Sequence, residues 1–66
     1  MPLTEVEQKD ARRHFNFYRK AHPTKGARRA AEQALRIWQG SYPSATTEKI
    51  SEVKAYLARI AELDET

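Results

Sequence analysis

Two short breaks constrain this chain more than any other feature of it. His22-Pro23-Thr24-Lys25-Gly26 and Gly40-Ser41-Tyr42-Pro43-Ser44 collect the Pro, Gly and Ser that interrupt helices, and the three stretches they delimit repeat apolar residues at helical intervals. The spacing predicts an all-α, compact three-helix bundle with helices over about 4–21, 25–39 and 45–63. The 66 residues are expected to form a single domain, 1–66, because a chain this small buries only about 60% of its unfolded surface and cannot support two cores.

Thr4 and Glu7 have the spacing of a reciprocal helix cap, and Glu5 and Glu7 suit the positive end of the helix dipole, so helix 1 is expected to begin at Thr4. Pro23 disfavours helical geometry at His22 and sets its end. On a helical wheel Leu3, Val6, His14, Phe17, Tyr18 and Ala21 share one arc, which is the expected buried face. Lys9, Arg12, Arg13, Asn16, Arg19 and Lys20 fill the opposite arc. Asp10 falls in the apolar arc one turn before His14 and is expected to pair with it. Phe15 falls at the margin beside Arg12 and Arg19 and is expected to be partly exposed.

Thr24 is the expected N-cap of helix 2, and Gly40 its C-terminal stop. Ala27, Ala30, Ala31, Ala34, Leu35, Ile37 and Trp38 share the inner face, so the backbone can approach a neighbour closely along the alanines, while Trp38 fills the wider end. Arg29, Gln33 and Arg36 form the outer stripe, and Glu32 stands one turn from Arg28 and Arg36 for ion pairing. Helix 3 is capped by Ser44, Thr46 or Thr47. Ile50, Val53, Leu57 and Ile60 form its seam, with Tyr56 and Leu63 on one flank.

Several functions are excluded by what these residues lack. Without cysteine there is neither a disulfide framework nor a thiolate zinc site, and a reducing, cytoplasmic setting is expected. No run approaches the roughly 18 apolar residues of a membrane span, and Met1 to Asp10 is acidic and polar rather than a basic leader. His14 and His22 have no carboxylate or thiol set around them, so no metal site is expected. There is no glycine-rich phosphate loop, no paired-carboxylate motif, and no Ser or Cys nucleophile tied to Asp10 and His14. The chain reads as a non-enzyme without a cofactor.

Charge is distributed very unevenly. Between Ala11 and Ala31 there are seven Arg and Lys residues and no acid, although the whole chain carries a formal net charge of only +3. The segment from Ser41 to Thr66 is net acidic. Lys25, Arg28 and Arg29 add positive charge to a helix end that is already positive, which is the wrong sign for stability alone and the right one for an anion. Arg12, Arg19, Lys20, Thr24, Lys25, Arg28, Arg29, Gln33 and Arg36 are therefore the candidate anion-binding residues. The expected function is nucleic-acid binding by a basic surface formed by helix 1 and the start of helix 2, with DNA favoured over RNA. The alternative is an adaptor or inhibitor that docks its basic face on an acidic surface of a larger protein, with Phe15 as the apolar anchor. Tyr56 and Leu63 offer a homodimer surface.

Overall fold

A computed structural model describes residues 3–65, with the side chain of Glu65 outside the description. Three helices pack against one another in the order α1 (Glu5–Ala21), α2 (Ala27–Ser41) and α3 (Thr47–Glu65), and no strand occurs among the described residues. The chain is all-α, as its periodicity predicts.

The caps show why each helix begins where it does. Thr4 Oγ1 accepts the backbone N–H of Glu7 at 3.2 Å, and Glu7 Oε1 accepts the N–H of Thr4 at 2.9 Å, so two of the unsatisfied amides at the start of α1 are paired reciprocally. Among the three candidates for α3 it is Thr46 that caps, its Oγ1 accepting the N–H of Lys49 at 3.1 Å. α2 departs from expectation. Pro23, Thr24 and Lys25 are used up in a turn closed by the Lys25 N–H on the His22 carbonyl at 3.1 Å, so Thr24 does not cap. The N-cap is Gly26, at φ 86° and ψ 159°, with no side-chain cap hydrogen bond. That backbone geometry belongs almost solely to glycine.

The far end of α2 also differs. Gly40 was expected to stop the helix, but its φ is not positive and the helix passes through it to Ser41. Tyr42 explains the extension: as the C-cap it donates its N–H to the carbonyl of Trp38 at 3.0 Å, and its ring stacks on Trp38 with centroids 4.4 Å apart. Its hydroxyl donates to the Asp10 carboxylate of α1. Those contacts need Tyr42 one helical turn beyond Trp38, and Pro43 then ends the run.

The core is Ala11 and Phe15 from α1, Ala27, Ala30, Ala34 and Trp38 from α2, and Val53, Leu57 and Ala61 from α3. Alanine makes up much of it, so helix backbones rather than bulky side chains come together along α2. Ion pairs mark the direction of α3. Lys49 Nζ meets Glu7 Oε1 at 2.9 Å near the starts of α3 and α1, and Arg19 Nη2 meets Asp64 Oδ2 at 2.8 Å near their ends. α3 therefore runs parallel to α1 and antiparallel to α2.

The expected phase of α1 is wrong by most of a quarter-turn. Phe15 is 2% exposed and Phe17 is 71% exposed, the reverse of the wheel reading, and Val6 is 64% exposed. The densest apolar arc of α1 is not its docking face: the bundle docks α1 along Ala11, Phe15 and Tyr18, where a small residue lets α2 come close. Ile37, also placed in the core, is 43% exposed. Asp10 does not pair with His14: its two carboxylate oxygens are taken by Arg13, at 3.3 Å, and by Tyr42. His14 Nε2 is left buried without a hydrogen-bond partner.

Candidate nucleic-acid interface

α3 divides the basic residues of the hairpin into two groups. Arg12 lines a groove between α1 and α3 with Tyr56, Ile60 and Leu63, and Arg19 is engaged by Asp64 in the same region. Arg28 lines the groove on the other flank of α3, with Glu32, Lys54 and Glu62. Each of these three arginines therefore stands beside α3. The expected ion pairing of Glu32 with Arg28 and Arg36 is not formed, and Glu32 instead faces that second groove.

The remaining cations occupy the hairpin face that α3 leaves open. At 100° per residue, Arg13, Phe17 and Lys20 fall on the other side of α1 from Arg12, Phe15 and Arg19, and all three are exposed. Arg29, Gln33 and Arg36 fall on the other side of α2 from Arg28, Ala31 and Leu35. Arg29 and Arg36 are exposed and Gln33 is half-buried. The short turn makes α1 and α2 antiparallel neighbours, so these two sets form one surface. Thr24 and Lys25, both exposed, lie in the turn at its end.

This face is electrostatically one-sided. Lys20, Lys25, Arg29 and Arg36, like Arg12 and Arg28 beside α3, form no ion pair with any described acid. The acid that does lie there is Asp10, and its carboxylate is already held by Arg13 and the Tyr42 hydroxyl. That hydrogen bond, with partial burial, holds the Tyr42 phenol above its ordinary pKa. At the start of α2 the backbone amides have neither a side-chain cap nor an acid in the first turn to oppose them.

Sequence reasoning places Phe17 in the core, and puts Arg13 on the basic arc of α1 without counting it among the anion-binding candidates. Phe15 and Phe17 stand about 200° apart on a helix, so only one of them fits the core. That signal was present in the spacing; the side on which α3 docks was needed to read it. Three of the four large exposed apolar residues among the described residues, Val6, Phe17 and Ile37, fall by their helical positions on the face turned away from α3, while Leu63, 66% exposed, is on α3 itself. Tyr56, its expected companion in a self-association surface, is half-buried against the core.

Fold and surface together define a small three-helix domain with a basic, aromatic-bearing hairpin face. No protein-family model, curated protein or solved structure matches the chain. No described helix is long and apolar enough to cross a membrane.

Proposed function

We propose that this chain is a non-enzymatic nucleic-acid-binding domain whose contact surface is the open face of the α1–α2 hairpin. The observation that supports this reading is the segregation of charge: Lys20, Lys25, Arg29 and Arg36 line the hairpin without an ion pair to any described acid, and the acidic α3 packs behind it. A polyanion gains from each positioned cation without requiring a cavity. Lys20 and Arg29 are the central phosphate contacts, with Arg13 and Arg36 beyond them and Lys25 at the turn. Arg12 and Arg28 flank the surface, and Arg19 serves the fold through Asp64. Gln33 and Arg36 are the residue types that read base edges.

The test is fluorescence anisotropy of labelled nucleic acid at several salt concentrations. Affinity is expected to fall log-linearly with salt, with a slope of several released ions. Lys20→Glu/Arg29→Glu is expected to abolish binding, whereas Lys54→Glu/Arg59→Glu, an equal change of charge on α3, is expected to leave most of it. Equal losses in the two variants would show that only net charge matters. A second reading draws on the exposure of Val6, Phe17 and Ile37: an acidic protein docking on this same face would take Phe17 as its anchor, since Phe15 is buried.

A further inference from the structure

Resting on the reading of the hairpin face as a nucleic-acid surface, we infer that the domain engages unpaired nucleotides, with a base stacked on the ring of Phe17.

Phe17 is 71% exposed on a well-formed helix, two residues from a phenylalanine that is 2% exposed. Leaving such a ring in water forgoes most of the free energy that its burial would gain. Its neighbours say what covers it. Arg13 lies one turn before Phe17 and Lys20 one turn after it, so cations bracket the ring along the helix, and Arg29 and Gln33 lie on the adjoining face of α2. A planar apolar surface between cations matches a ligand in which planar rings alternate with phosphates. In a duplex the base faces are already occupied by their neighbours, and the ring has nothing to stack on. A single strand presents those faces.

Other occupants fit less well. A second copy would bring the same cations against one another, opposing association through this face. A bilayer surface calls for a continuous apolar stripe, whereas Arg13 stands between Val6 and Phe17 along α1, and Lys20 and Arg29 bound Phe17 on the side of the turn.

The experiment compares four labelled probes on the full chain: oligothymidylate, a duplex of equal length, inorganic polyphosphate, which has charge without bases, and polyglutamate. Each is titrated with the parent protein, Phe17→Ala and Phe17→Tyr, after circular dichroism shows that the variants are folded. Phe17→Ala is expected to weaken oligothymidylate binding by about tenfold. It is expected to leave polyphosphate binding unchanged, and Phe17→Tyr, which keeps the ring, to restore the affinity. A Phe17→Trp emission quenched by oligothymidylate and not by polyphosphate would be the direct signature of stacking. Unchanged oligothymidylate affinity in Phe17→Ala, or tighter binding to duplex than to single strand, overturns the stacking and leaves the phosphate reading standing. Equal loss on oligothymidylate and polyphosphate overturns it as well. Absence of binding to both nucleic acids at about 50 mM salt, or preference for polyglutamate over either, overturns both readings and assigns the face to an acidic protein.

Discussion

The indole N–H of Trp38 donates to the backbone carbonyl of Glu7, 3.3 Å away on the neighbouring helix. The largest side chain of the core is thus also the one whose polar atom is fastened outside its own helix, and Tyr42 stacked on it is fastened in turn to Asp10. Both tethers sit at one end of the hairpin, whereas alanines line the middle.

Removing that plug should be ruinous. Trp38→Ala is expected to cost about 3–5 kcal/mol, which is comparable to the whole stability of a domain this size, so the variant should show no cooperative urea transition. Trp38→Phe keeps most of the ring and should remain folded at reduced stability. A cooperative transition in Trp38→Ala close to that of the parent would contradict the arrangement.

The two phenylalanines of α1 provide a sharper contrast. Phe15→Ala is expected to destabilise the fold by about 3 kcal/mol or more, and Phe17→Ala by less than about 0.5 kcal/mol. Denaturant melts of the two variants side by side decide this, and equal losses would mean that α1 is phased differently about its axis.

The glycines should respond in opposite directions. Gly26→Ala places a side chain at φ 86°, ψ 159°, and is expected to cost about 1–3 kcal/mol. Gly40 lies inside α2, and a Cβ added there meets nothing within 4 Å. Gly40→Ala should therefore stabilise by about 0.5–1 kcal/mol, seen as a rise of several degrees in Tm. A fall in Tm for Gly40→Ala would count against the continuation of the helix through this position.

Acid should loosen the junction of α1 and α3. The Thr4 backbone N–H, followed by Lys49, holds the Glu7 carboxyl below the ordinary carboxylate range. Because the folded-state pKa is the depressed one, this contribution is fully present above the unfolded value of about 4.3 and fades as pH falls from there through the folded value. Glu7→Gln should be less stable than the parent at neutral pH and converge with it in strong acid. The sign is reversed for Tyr42, whose raised pKa means that its contribution holds below about pH 10 and is lost above it. A stability gap for Glu7→Gln that stayed constant from neutrality into acid would exclude the ionic account.

The parts of the structure legible in the sequence were those decided locally. Thr4 with Glu7 announced a cap, Pro23 and Pro43 marked where helices must yield, and the seam through Val53 and Leu57 lies in the core. What was not legible depended on partners distant along the chain. Tyr42 draws α2 past Gly40 because Trp38 and Asp10 are there to receive it, and Asp10 is thereby withheld from His14. The composition of the basic patch was visible, but its division was not: no local rule could say that Arg19 would be claimed by Asp64 while Lys20 remained unclaimed.

Two long-range ion pairs, Glu7 with Lys49 and Arg19 with Asp64, join the same two helices at opposite ends. A short connection after α2 permits α3 to lie across either side of the hairpin, giving bundles of opposite hand. In the mirror arrangement α3 would cover Phe17 and leave Phe15 in water. The hand of the bundle, which belongs to no single residue and is marked at two points by ion pairs, decides which of two nearly adjacent phenylalanines becomes interior and which is shown to the outside.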